Sequence, residues 1–399
     1  MPRIYFDHNA TTPLAPEALE AMMPYLTDDY GNASSIHSVG QRARAGVERA
    51  RAQVAALLGA RESEIVFTSG GTEADNMAIR GVVAAADRPG DLRSRPRKHV
   101  ITTTIEHSAV LHTCQALEAE GVAVTYVPVN GGGIVDPEDI RRALTPDTVL
   151  ITLMHANNEL GAVQPIAEIA RIAREHKIPF HTDAVQSAGK IPINVEELGV
   201  DLLALSAHKF YGPKGVGALY IRRNFPLKPL MTGGHHERDR RPGTENVPGI
   251  VGLGAAAERA RLHLEEEGKR LATLRDDLER RILAAVPGCG LNGDPERRTP
   301  NTTNIHFDFI EGEPLVIALD LKGIAVSTGA ACSSGAVAPS HVLTAIGLPP
   351  ERARASLRFS LGRASTQADV DYVCEVLPAV VEHLRSLSPL YKKPVPAAS

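Results

Sequence analysis

Through the first half of the chain, short apolar runs alternate with longer amphipathic stretches. Ile65–Thr68, His99–Thr103, Val122–Val127, Val149–Met154, Pro179–Thr182 and Leu202–Leu205 read as strands, apolar and bounded by turn residues. Between them, Thr72–Ala86, Ser108–Glu120, Pro137–Leu144 and Ile166–His176 place apolar residues at helical spacing. Helices are also predicted at Pro16–Leu26 and at about His37–Leu58, the second closed by Gly59 as its C-cap. Strands separated by helices predict an α/β fold with a parallel, helix-covered sheet. After Gly249 the pattern changes. One long helix runs through about Ile282, and Asn304–Phe309, Glu313–Leu321 and Gln367–Leu387 suggest a smaller α+β domain.

Length and composition agree with this division. A chain of 399 residues is expected to form about two domains, and 43% apolar with 23% charged residues describes a globular protein. A net charge of −4, with no strongly basic segment, gives no sign of nucleic-acid binding. No apolar run approaches the roughly 18 residues of a membrane span, and Met1–Tyr5 lacks a signal-peptide profile, so the cytoplasm is the expected compartment. Cys114, Cys289, Cys332 and Cys374 are scattered without a C-x-x-C pair, which argues against a structural metal site.

In an open α/β sheet, ligands bind outside the carboxyl ends of the strands. The polar residues at those ends are therefore candidate chemistry. Leu202–Leu205 ends in Ser206-Ala207-His208-Lys209 and a Gly/Pro-rich turn. An anionic aldehyde cofactor would suit such an end, with the lysine forming a Schiff base and the hydroxyl and imidazole holding a phosphate. A plain strand end reaching solvent would carry the same residues. Thr68-Ser69-Gly70-Gly71-Thr72-Glu73 is a glycine turn opening a helix, suited to a phosphate and equally to a simple N-cap. His107 follows the next strand, Asn157 the one after Met154, and Asp183 with Gln186 the strand ending near Thr182. A carboxylate at a buried strand end needs a cation, and a protonated pyridine nitrogen is one. Each residue alone reads as an ordinary loop residue; their shared placement favours a pyridoxal-phosphate site.

Two further segments add to this. Around Cys332, Ser327-Thr328-Gly329-Ala330-Ala331 and Ser333-Ser334-Gly335 provide small, pliant neighbours unlike those of a core cysteine. Cys114 and Cys374 read instead as small buried hydrophobes. Arg354-Ala355-Ser356-Leu357-Arg358 sets arginines near a strand, where a guanidinium fork suits a carboxylate.

On these residues, together with Tyr5–Pro13, Asn157-Asn158-Glu159 and Arg241-Pro242-Gly243-Thr244-Glu245-Asn246, the chain resembles the NifS/IscS-like cysteine desulfurases. These are class V members of the fold-type I pyridoxal-phosphate enzymes. The resemblance implies a large domain (15–262) with a mainly parallel seven-stranded sheet, and a small α+β domain (1–14 and 263–399) carrying the cysteine loop. It implies that Lys209 binds pyridoxal 5'-phosphate as an aldimine and later moves the Cα proton. His107 would stack on the ring and serve in acid–base steps, Asp183 pair with the ring nitrogen, and Gln186 contact the phenolic oxygen. Gly71, Thr72, Ser206 and His208 would hold the phosphate. Thr244 would reach the phosphate of a neighbouring subunit, making a homodimer. Asn157 and Arg358 would hold the carboxylate of L-cysteine. Through an external aldimine and a ketimine, sulfur would pass to Cys332 as a persulfide, leaving L-alanine. No metal is implied. Ser333–His341 resembles the longer loop of the NifS/IscS group, which would hand sulfur to an acceptor such as an iron–sulfur scaffold of the IscU/NifU type or a tRNA-thiolation protein. A selenocysteine lyase or another class V enzyme would share Lys209 and Asp183. Cys332 argues for desulfuration.

Overall fold

The computed structural model describes residues 3–86, 98–328, 339–389 and 391. Its strands are β1 (Ile4–Tyr5), β2 (Ile65–Thr68), β3 (His99–Thr103), β4 (Ala123–Val127), β5 (Thr148–Met154), β6 (Phe180–Asp183), β7 (Leu202–Ser206), β8 (Gly217–Ile221), β9 (Cys289–Leu291), β10 (Thr302–Phe307), β11 (Ile324–Ala325) and β12 (Ser356–Ser360). Seven of them form the main sheet, in the order β2-β8-β7-β6-β5-β3-β4. Neighbours from β7 to β4 pair in parallel, while β8 runs antiparallel to both β7 and β2.

Each central strand is buried on both faces, and side chains alternate between two cores. Ile65, Phe67, Ile101, Ile151, Leu203 and Leu205 point to one, against helices Ser38–Leu58, Ile166–Glu175 and the start of Val247–Ala285. Val66, Val100, Leu150, Leu202 and Ala204 point to the other, against helices Gly71–Ala85 and Ser108–Ala119. This alternation places His181 and Asp183 of β6 on the second face, opposite Phe180. The helix Ser38–Leu58 approaches Val247–Ala285 closely because Gly254 has no side chain; a Cβ there would meet the Ala50 Cα at 2.5 Å.

Helix Val247–Ala285 is 39 residues long, about 58 Å. Its first turns bury Ile250, Leu253 and Ala257 in the main core; its last bury Leu271, Leu274, Leu278 and Ile282 in a separate one. That second core gathers Ile4 and Phe6 from the N-terminus with β10, β12 and helix Gln367–Leu387. The helix therefore passes from one core to the other between Ala257 and Leu271. Among the described residues, no helix is long and apolar enough to cross a membrane.

Candidate active site

Every parallel strand of the main sheet delivers its C-terminal end to the same rim, and the site grows from those ends. Lys209 ends a single 3-10 turn, Ala207–Lys209, that follows β7 directly. Its Nζ donates to the backbone oxygens of Asn9 (2.8 Å) and Ala10 (2.9 Å). Burial, and then repulsion by Arg358, push the amine down to about 8, although Asp183 and Asp7 pull the other way. Half of it is therefore neutral near pH 8, where an ordinary lysine is neutral in about one molecule in 250. A neutral amine is the nucleophilic form.

Asp183 closes β6, and its Oδ1 accepts from Val185 N at 2.8 Å. No bond among the described residues uses its second oxygen. Burial holds its carboxyl above the usual range, against the attraction of His107 and Lys209. His107 caps helix Ser108–Ala119, with Nδ1 accepting from Ala109 N at 3.1 Å, and leaves its ring exposed to the cleft. Its pKa is lowered, first by desolvation and then by Lys209, His341 and His112, while Asp183 opposes this. The ring is therefore favoured as neutral imidazole.

The glycine turn opens helix Gly71–Ala85 beside β7. A Cβ on Gly71 would lie 2.7 Å from Val185 Cγ2 and 3.6 Å from Ser206 Cβ, so the turn needs glycine to pass this close. Free N–H groups of the first helical turn, the exposed Thr72 and the Ser206 hydroxyl line one cradle. His208 stands nearby, its Nδ1 3.1 Å from Thr11 Oγ1. Glu73 fixes the turn by accepting from Ser69 N and from Arg241 Nε at 2.8 Å. Arg241 thereby brings the exposed Thr244 to a cavity of about 130 Å³ that Ser69 and Thr68 also line.

Arg358 enters from β12 and is 4% exposed. It donates to Asn158 O at 2.9 Å and to Asp7 Oδ1 at 2.6 Å, while its Nε is buried without a partner. Asn157 differs. It is fully buried, its Oδ1 takes the N–H groups of Glu159 and Leu160, and its Nδ2 goes to Ile105 O and Met154 Sδ. That amide holds the turn after β5, beside the Asn158 carbonyl that receives Arg358. Cys332 and most of Ser333–His341 lie outside the described residues. The described ends of that segment both touch the site: Ser327 exchanges backbone bonds with Arg358, while Ser340 donates to Glu159 Oε2 and His341 meets Glu106 O.

Sequence reasoning missed a second layer. Behind Asp183, His181 Nδ1 lies 2.8 Å from Thr152 Oγ1 and its Nε2 3.6 Å from Asp75 Oδ1, all of them buried. Burial pushes Glu106 up to about 8, and Asp75 is also raised by burial and by Asp183. A polar residue on the buried face of helix Gly71–Ala85 was the available signal for Asp75. Lys190, four residues after Gln186 and bonded to it, carries no such signal.

This donor set fits pyridoxal phosphate. A glycine cradle with free N–H groups, a carboxylate with an open oxygen, an amine poised near neutrality and an unpaired buried guanidinium N–H converge on one rim. Because the amine is poised near 8, attachment of added pyridoxal phosphate to the cofactor-free protein should accelerate with pH only until about pH 8 to 8.5. Stopped-flow visible absorption measures this; a rate still rising nearly tenfold between pH 8 and pH 9 would refute the poised amine.

A family model described as aminotransferase class-V matches residues 4–373. The chain is 51% identical over 390 residues to a cysteine desulfurase IscS of Dictyoglomus turgidum, covering 98% of this chain and 97% of that protein. It is 52% identical over 390 residues to a cysteine desulfurase IscS of Methanosarcina thermophila, covering 98% and 95%. A solved NifS-like protein superposes with a TM-score of 0.88 at 38% identity, over 96% of this chain and 100% of the other. SspA in complex with cysteine superposes with a TM-score of 0.79 at 39% identity, over 90% and 98%. With the match running from β1 into the last long helix, the chain belongs to the class V aminotransferase family of pyridoxal-phosphate enzymes.

Proposed function

We propose that this chain is a pyridoxal-phosphate-dependent cysteine desulfurase that converts L-cysteine to L-alanine and carries the sulfur as a persulfide on Cys332. The observation that carries the site assignment is the convergence of Lys209, Asp183 and Arg358 from three different strands onto one rim, with the Arg358 Nε unpaired. When bound, the cofactor supplies an electrophilic carbon for the substrate amine and a ring that takes up the electron pair released at Cα.

The chain's own residues do the rest. Gly71, Thr72, Ser206 and His208 would hold the phosphate, Asp183 would pair with the ring nitrogen, Gln186 would serve the phenolic oxygen, and His107 would stack on the ring. Arg358 fixes the substrate carboxylate, while Asp7 and Asn158 O hold two of its nitrogens in place. Lys209, neutral once released, takes the Cα proton, and the same amine can return a proton. The Cys332 thiolate attacks the substrate sulfur. An S–S bond forms, the Cβ–S bond breaks, and its electron pair ends with a proton on what becomes the alanine methyl. The balance is cysteine plus enzyme thiol to alanine plus enzyme persulfide.

We extend the proposal to a homodimer, in which Thr244 reaches the partner subunit's phosphate, and to sulfur transfer to an acceptor protein of the iron–sulfur scaffold kind. A reactive persulfide requires a reducing compartment, so the same reading places the protein in the cytoplasm. With L-cysteine and dithiothreitol, the purified protein loaded with pyridoxal phosphate should release alanine and sulfide in equal amounts. Pyruvate and ammonia in place of alanine would overturn the reaction proposed.

A further inference from the structure

A second amine lies at the site, and the reaction above has no use for it. Lys190 follows β6 on the same connection as Gln186. Its Nζ donates to Gln186 Oε1 at 2.7 Å and to Asn9 Oδ1 at 2.8 Å. Lys209 ends on the backbone oxygen of the same Asn9. Asn9 is otherwise saturated: its Nδ2 donates to Asn158 O and Thr302 Oγ1, its Oδ1 also takes Asn301 Nδ2, and its N–H goes to Ser360 Oγ.

These bonds settle which way the Gln186 amide points, a choice that shape alone leaves open. The Asn9 carbonyl can only accept, so Gln186 turns its Nε2 toward it, at 2.9 Å. Its Oε1 then faces Lys190. One Gln186 N–H remains, with no acceptor among the described residues. We propose that Lys190 is a positioning residue: it locks the Gln186 amide so that this N–H is presented to the phenolic oxygen of pyridoxal phosphate, and through Asn9 it helps to place the Lys209 amine. This rests on the role given to Gln186 above.

A lysine serving only solubility would extend its amine into water. This one is turned inward beside Lys209 and Arg358, and burial followed by those two cations holds it well below the usual lysine value. The other groups facing it are His8 and His208, both held near 4, with Asp7 beyond Arg358. Neither histidine titrates above pH 7.

The test titrates the visible absorption of the loaded enzyme against pH for wild type, Lys190→Met, Gln186→Leu and the double variant, with melting of each cofactor-free protein alongside. Both single variants should move the midpoint by about one pH unit. The double variant should move it no further than Gln186→Leu alone, because Lys190 acts through Gln186. The kcat should fall about tenfold, with KM for L-cysteine changed less than about twofold. A Lys190→Met protein that melts earlier but keeps its midpoint overturns the proposal, as does an additive double variant. If Gln186→Leu leaves the midpoint in place, the Gln186 reading itself fails and the proposal falls with it. Lys190→Gln, which cannot reach both oxygens, gives the same comparison should the methionine variant not fold.

Discussion

Lys209→Ala should lower alanine formation from L-cysteine at least about 1,000-fold, toward the upper end of what losing one positioned acid–base group costs. The loss should be larger if attachment of the cofactor also fails. The protein should nevertheless stay folded. In the cofactor-free state, Lys209 contributes two hydrogen bonds to backbone oxygens and packs no apolar core. Against those bonds stand the burial of an amine and its repulsion by Arg358, the two causes that lower its pKa. Removing the side chain relieves both, so the cofactor-free variant should melt within a few degrees of wild type. Lys190 should not substitute, since Asn9 Oδ1 and Gln186 Oε1 hold its amine. Alanine assays with calorimetry of the cofactor-free protein check both halves. More than a tenth of wild-type turnover in a folded Lys209→Ala protein would remove Lys209 from the centre of the chemistry.

What the sequence made legible follows from how far each signal reaches along the chain. Helix Gln367–Leu387 matches the expected range, and the helix opened by the glycine turn agrees to within a residue, because each carries its own periodicity and end signals. The strand ends were readable for the same reason: Thr68 and Ser206 each follow an apolar run that is buried throughout. β8 was missed although Gly217–Ile221 is wholly apolar, and its antiparallel direction is a property of pairing that no local pattern carries. β9, with three half-buried residues, offers almost no pattern. The polar layer is the deeper case. Asn9 bonds to Lys190 and Lys209 far along the chain, and Asp75 reaches His181 across the interior. Only tertiary packing creates those contacts. Asn157 shows the converse: its motif was visible, but the turn that saturates its amide was not.

Cys332→Ala should abolish both alanine and sulfide production while leaving the visible absorption of the bound cofactor in place. The argument begins with the other three cysteines. Cys114 is fully buried, and burial with the Glu106 and Glu118 charges pushes its thiol up to about 12. Cys289 and Cys374 are also raised, chiefly by burial, and Cys289 bonds to Val286 O at 3.0 Å. None of these is a thiolate near neutral pH, and the thiolate is the form that attacks sulfur. Cys332 is the cysteine that remains, and the segment holding it is anchored at both described ends to site residues, through Ser327 on Arg358 and His341 on Glu106. None of the residues assigned to the cofactor lies within residues 329–338, so its binding should survive the substitution. An assay of alanine and sulfide beside an absorption spectrum separates the outcomes. Sulfide release at the wild-type rate from Cys332→Ala would mean that sulfur leaves the substrate without an enzyme persulfide, as in a lyase. Loss of both activity and cofactor absorption would instead make the segment part of the cofactor site, and the division of labour between Lys209 and Cys332 would have to be redrawn.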